Sequence, residues 1–232
     1  MISMAFRYED LKSYAFKRRL LRKDMIMLDY IQDKALYFLS LIHDLDFSLK
    51  GGTALYKVYN SGRLSRDIDM GSNVSVDVNR IVELFSTEGF LVRILKRRQT
   101  KNILFLAIRV SRRDIDTPIT LDISSQKPTG DIVDFYSPYP DIPPFKIKVS
   151  SLSNILMDKL DAIIRRKKPR DLYDAYIITK KYGAITFFDR CKDLRKAINS
   201  IKPLWPSLRE LVLSSLPEFE DVKIFILKKV RC

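Results

Sequence analysis

The chain reads as an α+β protein: a mixed β-sheet core with helices, N-terminal helices before it and a C-terminal helical region after it. Three observations predict this. Apolar residues recur at three-and-four spacing through 8–43, with Leu11, Tyr14 and Ala15 and then Met27, Tyr30, Ile31, Ala35, Phe38 and Ile42, the period of a helix face. Short β-rich segments follow at 90–95, 103–110 and 119–124. Helical spacing returns from Ser151, with Leu152, Ile155, Leu156, Leu160 and Ile163 in one stripe and Leu172, Ala175, Tyr176 and Ile178 in another. The main boundary is expected near residue 150, dividing the chain into 1–150 and 151–232.

Taken in order, the helical 8–43 stretch carries Lys17, Arg18, Arg19, Arg22 and Lys23 on its other face, which reads as a solvated surface within reach of phosphates. Gly51-Gly52 then makes a tight turn into a helix over 53–59. Ile68 and Met70 alternate with Asp67 and Asp69, the period of a strand. Val78, Ile81, Val82, Leu84 and Phe85 give a helix over 76–87. The polar turn Arg112-Arg113-Asp114 separates two of the strands. Residues 127–144 hold five prolines and read as a connecting loop, and Phe145–Val149 is a further short strand. Helices near 186–199, 207–215 and 219–229 close the chain.

Composition bounds the function. With 42 Lys+Arg against 28 Asp+Glu in 232 residues, the net charge is +14, a field that attracts polyanions such as nucleic acid and nucleotides. The single histidine, His43, reads as a helix-end or packing residue; one histidine and two cysteines, Cys191 and Cys232, leave little room for zinc chemistry. With no disulfide framework, the cysteines suggest a reducing compartment. No signal peptide is visible, and no stretch reaches the roughly 18 apolar residues that span a bilayer. The expectation is a soluble cytoplasmic protein with no membrane partner.

The segment that carries chemistry begins at Lys50-Gly51-Gly52-Thr53 and continues through Arg63-Leu64-Ser65-Arg66-Asp67-Ile68-Asp69-Met70. Glycines let backbone approach a triphosphate closely, and a Thr hydroxyl and backbone N–H groups bind phosphate oxygens. Residues i and i+2 of a strand share a face, so Asp67 and Asp69 present two carboxylates together above an apolar Ile68 and Met70. Carboxylate oxygens suit Mg²⁺ or Mn²⁺, and a cation relieves their mutual repulsion. Asp122, in Ile119-Thr120-Leu121-Asp122-Ile123, is a third candidate ligand on another strand. The joint pattern of glycine turn, Asp pair and third strand Asp is that of a nucleotidyltransferase core.

These motifs, with Lys159-Leu160-Asp161-Ala162-Ile163-Ile164-Arg165-Arg166 and Pro169-Arg170-Asp171-Leu172-Tyr173-Asp174 downstream, resemble those of the AbiEii/AbiGii toxin nucleotidyltransferases of the polymerase-β-like superfamily. The resemblance spans residues 50 to 174. It implies that Asp67 and Asp69 bind the metal and that Gly51, Gly52 and Thr53 hold the nucleotide phosphates; Lys50, Ser65 and Arg66 beside these motifs are further nucleotide-binding candidates. It assigns Lys159 to the triphosphate and an Asp of the Arg-Asp motif, Asp171 or Asp174, to activating the acceptor. Arg166 and Arg170 can join Lys159 around a triphosphate. By itself, the last motif also reads as a salt-bridged helix, Arg170 to Asp174.

The expected reaction moves an NMP from an NTP to an acceptor and releases pyrophosphate. The basic charge favours RNA, particularly a tRNA end, and the resemblance implies a cognate antitoxin protein. Two rivals remain. A metal-dependent nuclease using Asp67 and Asp122 needs a carboxylate-x-Lys element, which Ser125-Gln126-Lys127 does not supply. A non-catalytic nucleic-acid-binding protein leaves the intact Gly-Gly-Thr and Asp-x-Asp without a purpose.

Overall fold

The computed structural model describes residues 6–43, 47–73, 76–183 and 190–230, and the elements below are those of the described residues. They fall into two compact units: Met1–Thr53 with Arg66–Val149, and Ala54–Ser65 with Ser150–Cys232.

The first unit contains helices α1 (Tyr8–Ala15), α2 (Lys23–His43) and α4 (Val78–Thr87), and the start of α3 (Gly51–Lys57). Its strands are β1 (Phe47–Lys50), β2 (Asp67–Ser72), β3 (Leu91–Gln99), β4 (Ile103–Arg112), β5 (Ile115–Ser125), β6 (Asp131–Phe135) and β7 (Phe145–Val149). They form one sheet in the order β3-β4-β5-β2-β1-β7-β6. β2 runs parallel to β5 and β1 parallel to β7, and the other neighbours are antiparallel. This is the mixed sheet of the expected α+β class. Ile68, Met70, Leu104, Leu106, Ile108, Leu121 and Ile123 are buried on one face, and α2 packs against β5, β7 and α4. An aromatic cluster fills this core, with Phe38 edge-on to Phe85 at 4.8 Å and Phe85 edge-on to Phe90 at 5.8 Å. Asp67, Asp69 and Asp122 sit on the other, polar face.

The long N-terminal helix is interrupted. A short 3₁₀ turn, Phe16–Arg18, ends at Arg19 in the left-handed region, φ 60°. At this break Arg18 donates to Asp29 and Asp33 at 2.8 Å each, both carboxylates fully buried. Arg18 is therefore not part of a solvated basic face. The proline-rich 127–144 segment is not all loop, because β6 pairs with β7 inside it. Its prolines, at 128, 138, 140, 143 and 144, lie outside the strand, and β6 is an edge strand that uses one side of its backbone.

The second unit is helical, built from α5 (Leu152–Arg166), α6 (Pro169–Tyr182), α7 (Cys191–Ile201) and α8 (Phe219–Lys229). Ser151 caps α5 by accepting from the Asn154 N–H, and Lys167 at φ 51° ends it. Pro169 opens α6 and Gly183 at φ 65° closes it. Of the expected 207–215 helix, residues 207–210 lie in a 3₁₀ segment, Lys202–Glu210; Pro206 inside that segment lacks the N–H that an α-helix continuing from α7 would need. Residues 186–189 of the expected 186–199 helix, Cys232 and the His43 side chain lie outside the described residues. Among the described residues no helix is long and apolar enough to cross a membrane.

Candidate active site

Register builds an acidic row in the first unit. Antiparallel pairing sets Lys50 opposite Asp69, and parallel pairing sets Asp69 beside Asp122 and Asp67 beside Thr120. Asp67, Asp69 and Asp122 are each half-buried on the polar face, while Ile68 and Met70 anchor β2 in the core. Between β1 and α3, Gly51 takes φ +65°, and a Cβ there would land against the Asp69 carboxylate. Glycine is required twice over at this position, by conformation and by space. The Thr53 hydroxyl donates to the Asp67 carbonyl, tying the turn to the acidic strand, and Thr53 is fully buried. The Lys50 ammonium donates to Ser124 Oγ at 2.6 Å and to Gln126 Oε1 at 2.8 Å. Arg66 has an exposed side chain, and its carbonyl accepts from Gln32 Nε2 at 3.1 Å.

The donor chemistry fits a hard divalent cation. Among the described residues no group of three or more His, Cys, Asp or Glu stands ready as a complete protein cage. Mg²⁺ does not need one, because it is held by one or two carboxylates together with water and substrate phosphates. Asp67 and Asp69 meet that requirement, and the strand register puts Asp122 next to Asp69.

The second unit holds a buried charge cluster. Asp174 accepts from Arg63 Nε at 2.7 Å and Arg63 Nη2 at 2.8 Å, and the Lys159 ammonium stands 2.8 Å from its Oδ2. The same ammonium donates to Asp171 Oδ1 at 3.1 Å, which also accepts from Arg166 at 3.1 Å. Both Asp side chains are fully buried, whereas the Arg166 side chain is 51% exposed. Burial alone raises the Asp174 carboxyl, but Arg63 and Lys159 outweigh it and hold it below its ordinary value. Asp171 Oδ2 is buried without a hydrogen-bond partner. Ser65 is buried and Arg170 half-buried.

Within this unit the structure thus brings together Lys159, Arg166, Asp171 and Asp174. Arg63 is the member that the sequence reading missed. It is held by a backbone bridge to Val212, flanked by the Leu64 N–H to Leu211 carbonyl bond at 3.0 Å. Its only sequence signal was its place in Arg-x-Ser-x-Asp, where it read as part of the motif and not as the partner of a residue 111 positions away.

Comparison with known proteins extends this picture. The chain resembles two solved Helicobacter pylori structures, the JHP933 protein and a protein provisionally named a nucleotidyltransferase. Each is 20% identical with a TM-score of 0.64 and 91% of this chain covered, the match taking in 95% and 98% of the respective neighbours. These likenesses establish the fold. Among curated proteins there is no match. The model of the nucleotidyl transferase AbiEii toxin family, of Type IV toxin–antitoxin systems, matches residues 39–204. That span covers both acidic clusters, and the chain belongs to the AbiEii nucleotidyltransferase toxin family.

Proposed function

We propose that this nucleotidyltransferase moves an NMP from an NTP onto RNA, such as a tRNA end, as the metal-dependent toxin of a pair whose antitoxin neutralises it in the cytoplasm. The observation that carries the reading is the acidic row of β2 and β5, where Asp69 stands beside Asp122, with Asp67 on the same face and the Gly51 turn against Asp69. Asp67 and Asp69, with Asp122 beside them, would hold Mg²⁺ or Mn²⁺, which would offset charge on the triphosphate and the leaving pyrophosphate. Lys50-Gly51-Gly52-Thr53, Ser65 and Arg66 are assigned to the nucleotide, with Lys159, Arg166 and Arg170 as the cations for its triphosphate. The acceptor hydroxyl oxygen bonds to the α-phosphorus, the bond from that phosphorus to the β-phosphate's bridging oxygen breaks, and pyrophosphate leaves.

The hydroxyl proton needs a base. Of the two candidates, Asp174 has both oxygens engaged by Arg63 and Lys159, which makes it a positioning residue. Asp171 keeps Oδ2 without a partner and is the better match for that role. The acceptor class rests on the +14 charge and the antitoxin on the family. The test is pyrophosphate release from each NTP with Mg²⁺ and bulk RNA. Release that requires both RNA and Asp69 supports the reading. RNA cleavage without release contradicts it.

A further inference from the structure

The polar face continues past the acidic row. Across the sheet from Asp122 stands Phe105 on β4, and across from Phe105 stands Arg98 on β3. In the adjacent row Thr120 is followed by Ala107 and Lys96. Lys96, Arg98, Thr100, Ile103, Phe105 and Asp122 line one pocket of about 380 Å³, within the usual range for a small-ligand site of about 300–1,000 Å³.

A register shift aims the cations into it. Ile94 pairs with Ile108, but the next pair is Lys96 with Ala107, so one residue of β3 is bulged out. Such a bulge re-aims the side chains that follow it. Without it, Arg97 would lie across from Phe105; with it, Arg98 does, and Arg97 pairs instead with the buried Leu106. The Lys96 ammonium lies 5.7 Å from the centre of the Phe105 ring. Phe105 itself is half-buried, Ile103 is 47% exposed, and every residue from Arg93 to Gln99 is exposed. An aromatic platform flanked by cations is the chemistry that binds single-stranded nucleic acid, with bases stacking and phosphates paired to Lys and Arg.

We propose that this pocket seats the terminal nucleotide of a single-stranded RNA acceptor, its base on Phe105 and its phosphate between Lys96 and Arg98, with the end of the strand beside Asp122. The inference rests on the nucleotidyl-transfer reading for its purpose, but its test needs no turnover. A short single-stranded RNA with a 5′ fluorophore is titrated with the full chain while anisotropy is read at several salt concentrations. Phe105→Leu, which keeps apolar bulk and removes the aromatic face, should weaken binding by about 5- to 100-fold, and Phe105→Trp should restore it. Arg98→Ala should weaken binding and lower the slope of log K against log salt by about 0.7. Arg97→Ala should do less, because it points to the opposite face. NTP affinity and melting temperature should stay level in all four variants.

Wild-type RNA affinity in Phe105→Leu, equal losses in Arg97→Ala and Arg98→Ala, or lost NTP affinity in place of RNA affinity would each overturn the proposal. Phe105-dependent RNA binding by a chain that transfers nothing would sink the transfer reading and leave the pocket standing. Transfer to a small acceptor, without Phe105-dependent RNA binding, would do the reverse.

Discussion

Two of the carboxylate sets near cations differ in one physical respect. Asp67, Asp69 and Asp122 are half-buried on neighbouring strands of the first unit, within reach of solvent and so of a dissolved cation. Asp171 and Asp174 are fully buried on α6 of the second unit, already neutralised by Arg63, Lys159 and Arg166. Taking charges out of water is costly, and such a cluster survives only when each charge is closely paired. The first set is accessible to a ligand from solvent, whereas the second is compensated inside the protein, with Asp171 Oδ2 left without a partner. The same residue type does different work according to its exposure.

The largest expected effect separates the two. Asp67→Asn or Asp69→Asn should reduce NMP transfer to background with a nearly unchanged melting temperature, because Asn keeps the shape and loses the charge. Asp171→Asn and Asp174→Asn, measured side by side, sharpen the contrast within the buried set. If Asp171 takes the acceptor proton, its variant should lose about 10²–10⁴-fold in kcat with NTP affinity kept. Asp174→Asn should instead leave Arg63 buried without its charge partner. Breaking a buried pair in this way costs about 3–5 kcal/mol, visible as a lower melting temperature, while the folded fraction keeps most of its turnover. A stable Asp174→Asn with no turnover would exchange the two roles.

Much of this was legible in the sequence because period and motif are local. Asp67 and Asp69 flank Ile68 on a strand, and alternation alone puts both on one face. The class of fold followed from the same periodicities. Arg18 and Arg63 were not legible in the same way. Arg18 sits in a run of cations that reads as solvated, yet it folds back onto Asp29 and Asp33. Arg63 meets Asp174 only through tertiary structure. The strand β6 was hidden by flanking prolines, and the cationic end of β3, Lys96 to Gln99, shows no apolar alternation to announce a strand. The pocket beside Phe105 depends on a bulge, which leaves no mark on the sequence pattern.

A smaller effect tests the turn that serves the exposed set. Gly51→Ala forces a left-handed conformation on a residue with a Cβ, costing roughly 1–2 kcal/mol, and pushes on the Asp69 carboxylate. Transfer should fall more than the melting temperature alone explains; a variant with normal kcat would show that Asp69 tolerates displacement. The smallest effect is in acid. The Asp174 carboxyl is held below its ordinary 3.8 in the folded chain, so its stabilising contribution is complete above that pH and is lost as pH falls below it. The difference in melting temperature between wild type and Asp174→Asn should narrow in that window. A difference that is constant through it would mean that Asp174 is not the group being titrated.

The most direct measurement is transfer of radiolabel from each α-³²P-labelled NTP to total RNA, by wild type and Asp69→Asn, with Mg²⁺ and with EDTA. The account predicts labelled RNA ends only from the wild type with Mg²⁺, accompanied by stoichiometric pyrophosphate, while Asp69→Asn stays folded and silent. Equal labelling by Asp69→Asn, or labelling that persists in EDTA, would contradict the assignment of the β2 carboxylates to metal-dependent nucleotidyl transfer.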